Sequence, residues 1–176
     1  MRRGHLSLIQ SSDLPPSTGP LDSAALRNDF AHLDIGGTFD GSDSVLRVAV
    51  LALGRVHGHH LGEIIETLRP DIVIDLRYVA RFDMPGSNRQ LFFTQIDAAK
   101  SHYRMEPVPW HRLTNLDLAD SRWKPSSRVL HELLFEKNKT VLLLTGRSEH
   151  ARSLASVLNR TLTERSHREF KLMLVA

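Results

Sequence analysis

The residues best suited to chemistry gather at one turn of the chain. Within Lys139–Arg160, KTVLLLTGRSEHARSLASVLNR, the apolar run Val141–Leu144 gives way to Thr145-Gly146-Arg147-Ser148, followed by Glu149, His150 and Arg152. A helix starting there presents free backbone N–H groups and the positive end of its dipole, which together favour an anion. Arginine forks suit phosphate and carboxylate, so Arg147 and Arg152 read as anion holders beside Thr145 and Gly146, although Arg152 could equally be a surface charge. His150 lies in the turn itself and is the best-placed general acid or base for any proton transfer there.

Two further stretches end in polar residues after an apolar run. Leu46–Leu53 ends in Gly54-Arg55-Val56-His57-Gly58-His59-His60, and Asp71–Ile74 ends in Asp75-Leu76-Arg77, with Arg81 just beyond. Gly54, Arg55, His57, Arg77 and Arg81 therefore join the candidate ligand-binding residues, with a plain surface charge as the alternative for Arg77 as for Arg152. Asp75 is the second candidate for proton handling; its alternatives are capping a loop or pairing with Arg77. The closely spaced His57, His59 and His60 invite a zinc or nickel reading. His60 and Leu61, however, stand where metallo-β-lactamase-like hydrolases place a carboxylate. Histidines at a helix start or in solvent are the preferred reading, and neither a metal nor a cofactor is expected. The chain has no cysteine, which removes disulfides, thiolate zinc sites and the cysteine chemistry of rhodaneses and cysteine phosphatases.

The elements that must position these residues follow from hydrophobic period. After Ser148, Ala151, Leu154, Ala155 and Leu158 recur at helical spacing, and Ser148 suits the N-cap. Leu61, Ile64, Ile65 and Leu68 mark a helix closed by Arg69-Pro70, between the strands Leu46–Leu53 and Asp71–Arg77, which makes a βαβ unit with a parallel crossover. Beyond the turn residues Asp83–Asn88, the residues Phe92, Ile96, Ala99 and Tyr103 line another helix. Met105–Trp110 reads as a short strand near an edge because Pro107 and Pro109 interrupt it. Arg112–Pro125 is a loop, and Ser126 or Ser127 caps a helix bearing Leu130, Leu133 and Leu134. Glu169–Val175 is a final strand. This alternation predicts an α/β three-layer sandwich with a mainly parallel, Rossmann-like sheet of about five strands. Val48–Leu53, Ile72–Leu76 and Val141–Leu144 are its expected central strands. In such sheets a ligand sits beyond the carboxyl ends of the strands, where all the candidates above lie.

The 176 residues suit a single core, and 41% hydrophobic with 24% charged residues is globular composition. Residues 1–44 read as a poorly structured arm ahead of a single α/β domain, 45–176, so loss of Met1–Pro20 is expected to cost under about 1 kcal/mol. Ser23–Leu33 is a candidate helix within the arm. Asp34-Ile35-Gly36-Gly37-Thr38-Phe39 has the look of an actin-like phosphate loop but reads better as a glycine turn. Leu6, Leu8 and Ile9 make too short a run for a leader or a membrane span, and the expected location is cytoplasmic.

Leu51-Ala52-Leu53-Gly54, Val73-Ile74-Asp75-Leu76-Arg77, the Pro85 and Arg89 loop before Phe92 and Phe93, a helix ending at Tyr103, and the strand leading to His150-Ala151-Arg152 resemble, in that order, domain-of-unknown-function family 488. The likeness spans Leu46 to Leu162. Gly54 stands for the family glycine, Asp75 and Arg77 for its aspartate and arginine pair, and Arg152 for the arginine of its final motif. Arg55 replaces a family histidine, Thr145 and Ala151 fall where cysteine and histidine are expected, and His150 takes a cysteine position. The resemblance implies an α/β fold with a polar pocket rather than a particular reaction.

With a net charge of +3 and several arginines on one rim, a phosphate-bearing or nucleotide-like small molecule is the expected ligand. The alternatives are an interaction protein with a degenerate pocket, or a nucleic-acid-associated protein touching backbone phosphates through this rim and Arg2-Arg3. Binding by the latter would weaken steeply with salt.

Overall fold

The computed structural model describes residues 5–9, 45–113, 127–134, 140–166 and 169–175. The described strands are β1 (His5–Ile9), β2 (Leu46–Ala52), β3 (Ile72–Asp75), β4 (His102–Met105), β5 (Thr140–Thr145) and β6 (Phe170–Val175). They form one sheet in the order β1-β6-β2-β5-β3-β4, and every pairing is parallel. The helices α1 (Gly58–Leu68), α2 (Arg89–Ala98), α3 (Ser127–Leu134) and α4 (Ser148–Arg165) alternate with the strands, giving the expected α/β, Rossmann-like fold. Residues 10–44 and 114–126 lie outside the described residues. With them go the candidate helix Ser23–Leu33, the Asp34–Phe39 glycine turn and most of the Arg112–Pro125 loop.

The three strands expected at the centre, β2, β5 and β3, lie side by side in the interior. Their runs lack alternation because both parities are buried. Val48, Val50, Val141 and Leu143 join Val129, Leu133, Leu154 and Leu158 of α3 and α4 in one core cluster. Ala49, Leu51, Leu142 and Leu144, of the opposite parity, are equally buried.

The order of the strands places the crossover point. From β2 the chain passes over β5 to β3 and on to the edge strand β4, then returns through β5 to reach β6 on the far side of β2. Progress along the sheet thus reverses between β2 and β5, and a crevice is expected beyond the carboxyl ends of these two strands.

Two assignments made from sequence change. The segment His5–Ile9, assigned to the arm, is a strand in parallel register with β6 from His5↔Lys171 to Ile9↔Val175. Leu6, Leu8 and Ile9 are too few to announce a strand alone, but β6 supplies a ready ladder. Residues 5–9 therefore belong with the α/β sheet. Removing residues 1–9 is expected to cost about 2 kcal/mol or more, since several backbone hydrogen bonds worth about 1 kcal/mol each are lost and β6 becomes an open edge. Urea unfolding of the truncated chain measures this, replacing the smaller loss expected for an arm.

Tyr103, assigned to a helix face, lies instead in β4. Helix α2 ends at Ala98, and Lys100 takes a left-handed conformation (φ 57°) that turns the chain into the sheet. The spacing from Phe92 through Ile96 and Ala99 to Tyr103 fits a helix, and nothing in it marks Lys100 as the stop. The strand expected over Met105–Trp110 is displaced to His102–Met105: a strand does lie at this edge, but Pro107 and Pro109 fall beyond its end rather than interrupting it.

Candidate functional site at the carboxyl rim of the sheet

Parallel strands bring the ends of β2, β3, β4 and β5 to one rim. At the crossover point the loops after β2 and β5 nearly touch: a Cβ built on Gly54 would lie 2.5 Å from the Gly146 carbonyl oxygen. Gly54 is required by this approach. Gly146 is not, since a Cβ there would meet nothing within 4 Å, which leaves open space above the turn. Thr145 is fully buried and its hydroxyl donates towards the Leu51 carbonyl at 3.3 Å, with the Arg147 carbonyl at 3.4 Å, so it ties β5 to β2.

Helix α4 begins one residue earlier than Ser148 capping would require, at Ser148 itself. Arg147, extended at φ −129°, holds the N-cap position, and no side chain accepts a hydrogen bond from the first turn. The Arg147 carbonyl instead accepts the first intrahelical bond, from Ala151 N–H at 3.1 Å. Arg147 and Arg152 are both exposed, and among the described residues neither has a carboxylate partner. Glu149 is the one acid in the first turn.

His150 lies in that turn with its ring stacked on Trp110, centroids 4.6 Å apart and planes at 8°. Its Nδ1 is buried and unpartnered among the described residues. Burial, and then the Arg147 guanidinium, lower its pKa from the ordinary 6.5, against an opposing pull from Glu149. The neutral ring is therefore the resting form near pH 7, which suits an acceptor or base. Trp110 in turn donates its indole N–H to the Leu76 carbonyl at 2.8 Å, anchoring the turn Trp110–Arg112 over the end of β3.

Asp75 and Arg77 face each other rather than the open rim. Asp75 is wholly buried and accepts from Arg77 Nε at 2.9 Å, Arg77 Nη2 at 2.6 Å, the Arg77 backbone N–H at 3.0 Å and the Tyr103 hydroxyl at 2.9 Å. The remaining arm of Arg77, Nη1, donates to the Arg81 carbonyl at 2.6 Å, while its guanidinium sits 5.3 Å from the Phe82 ring centre. Burial, reinforced by the Asp75 carboxylate, holds the Tyr103 phenol well above its ordinary pKa, so it stays a donor. This arrangement is the paired alternative raised for Asp75. It fixes the chain from β3 to Phe82, and the Arg81 side chain itself remains exposed.

His57 has a structural post as well. Its Nδ1 accepts from His59 N–H at 3.4 Å as the N-cap of α1, and its ring packs on Gly86, where a Cβ would come within 2.2 Å of His57 Cε1. Gly86 at φ +80° follows Pro85 in a tight turn closed by Ser87 N–H to the Met84 carbonyl at 2.9 Å, the signature of a type II turn. His57 stacks on His59 at 5.3 Å and meets His60 edge-on at 6.1 Å. Among the described residues no three His, Asp or Glu side chains are grouped to hold a metal. The Arg55 side chain lies outside the described residues.

Of the candidates, Gly54, Thr145, Gly146, Arg147 and His150 thus share the crossover rim. Arg152 lies one turn along α4, and Asp75 and Arg77 form a separate buried pair. Sequence reasoning missed the supports Trp110, which stacks on His150, Tyr103, which bonds Asp75, and Phe82, which lies against the Arg77 guanidinium. Trp110 beside two prolines carries no periodic signal, and only its size hinted at burial.

The fold and this rim define a Rossmann-like α/β protein with a basic, histidine-bearing turn at its crossover point. No family model matches the chain, and no curated protein or solved structure matches it. No helix among the described residues is long and apolar enough to cross a membrane.

Proposed function

We propose that the rim binds a phosphate-bearing small molecule at the start of α4. The supporting observation is that this 18-residue helix begins at the crossover point with no side chain capping it, beneath the open space at Gly146 and between exposed Arg147 and Arg152. Free N–H groups, the helix dipole and two arginines all favour an anion there. If the ligand reacts, neutral His150 is the group that can take a proton. Arg77, whose donors are directed to Asp75 and Arg81, positions the rim and does not hold the ligand.

Inorganic phosphate and nucleotides are expected to raise the melting temperature, a ligand at 100 times its Kd adding about 2.7 kcal/mol to the folded state. Arg152→Ala and Arg147→Ala should each reduce that shift, and Arg152→Lys should recover part of it by restoring charge without the fork. Gly146→Ala has room for its methyl group and should leave unliganded stability within about 0.5 kcal/mol while weakening phosphate binding. A panel of phosphates that leaves the parent's melting point unmoved would sink the reading in favour of an interaction protein.

A further inference from the structure

The residues just past the Asp75–Arg77 pair are held outward. Arg77 bonds Asp75 on one side and the Arg81 carbonyl on the other, so Tyr78, Val79 and Ala80 span two fixed points. Tyr78 is 59% exposed and Val79 61%, against a core of fully buried apolar residues. A large aromatic ring held in water by two anchors loses little conformational freedom when a ligand covers it.

Ring contacts connect this surface to the anion-favouring turn. Tyr78 meets His111 edge-on at 5.1 Å, His111 is the neighbour of Trp110, and Trp110 stacks on His150 in the first turn of α4. Exposed Arg81, Arg112, Arg147 and Arg152 belong to the same loops and turn. Aromatic faces interleaved with arginines recognise bases joined to phosphates, because any base has a π-face and the phosphate takes the cations.

We infer that this rim takes a nucleoside phosphate, with its base stacked on Tyr78 and its phosphate at the Gly146–Ser148 turn. The inference rests on the anion reading above and adds the chemical class of the ligand. A free nucleotide and the phosphorylated end of a nucleic acid strand share this chemistry.

Calorimetric titration of the full chain with adenosine 5′-monophosphate, ribose 5-phosphate and a 5′-phosphorylated dinucleotide tests it. The expected result is that adenosine monophosphate binds about tenfold or more tightly than ribose 5-phosphate, and that Tyr78→Ala abolishes this preference while leaving ribose 5-phosphate affinity unchanged. His111→Ala should lower the preference in part. Tighter binding of the dinucleotide with the same dependence on Tyr78 supports a strand end as the source, and tighter binding of the mononucleotide supports a free nucleotide. Equal affinity for adenosine monophosphate and ribose 5-phosphate, or a preference that survives Tyr78→Ala, overturns the base assignment and leaves the anion site standing. If none of the three binds, both fail together.

Discussion

Replacing Arg77 with alanine is expected to destabilise the protein by about 3–5 kcal/mol, a large share of the stability of a domain this size. Asp75 is wholly buried and takes four of its hydrogen bonds from Arg77, three from the guanidinium and one from the backbone N–H. Removing the guanidinium leaves a buried carboxylate with only Tyr103 and one backbone N–H, and it frees the Arg81 carbonyl. Arg77→Lys should recover little, because a single ammonium cannot replace Nε, Nη1 and Nη2 at once. Urea unfolding measures the loss. A variant as stable as the parent would show that the pair contributes nothing, and a stable variant that no longer binds phosphate would return Arg77 to the ligand.

Trp110→Ala should cost about 3–5 kcal/mol, since it empties a buried indole site in the core and removes the hydrogen bond to the Leu76 carbonyl. Trp110→Phe should cost only about 1 kcal/mol from that bond, because the Leu76 carbonyl still accepts from Val108 N–H at 3.1 Å. The two variants also differ in their effect on His150. Its folded pKa is lowered, so its contribution to stability is complete above its ordinary 6.5 and is lost as pH falls below that value. Taking Trp110 away exposes the ring and should flatten this part of the pH dependence. Unfolding curves at pH 8 and pH 5, compared between parent, Trp110→Phe and Trp110→Ala, read the difference. An equal pH response in all three would show that Trp110 does not set the environment of His150.

The interior of this sheet was readable in sequence because β2, β3 and β5 are buried on both faces, so their unbroken apolar runs admit few other structures. Arg69-Pro70 marked the end of α1 just as plainly. Burial is a weaker guide at the margins. Five residues at His5–Ile9 carry too little pattern to reveal a strand whose partner lies at Phe170–Val175, and Tyr103 kept a helical spacing past the turn at Lys100. The turn at Thr145–Arg152 could be located from the change of period, but the direction of each side chain could not. Asp75 and Arg77 look from spacing like two residues offered to a ligand. Their mutual pairing depends on how β3 leaves the sheet, and on Tyr103 arriving from β4, neither of which is a local property. The Trp110 and His150 stack joins residues far apart in the chain and has no signature in either segment.

The pairing of β1 with β6 also dictates an order of assembly. Among the described strands β1 pairs with β6 alone, the one farthest from it in the chain, whereas β2, β3, β4 and β5 find their neighbours across shorter stretches. Contacts of such separation carry the largest loop-closure entropy and tend to form late. A ribosome-bound chain must therefore hold His5–Ile9 unpaired until Phe170–Val175 has emerged, and any partly folded species with β6 docked on β2 alone exposes one open ladder. That ladder accepts the segment from its own chain or from a neighbouring one, so exchange of β1 between molecules is the misassembly this topology invites when folding is slow or crowded.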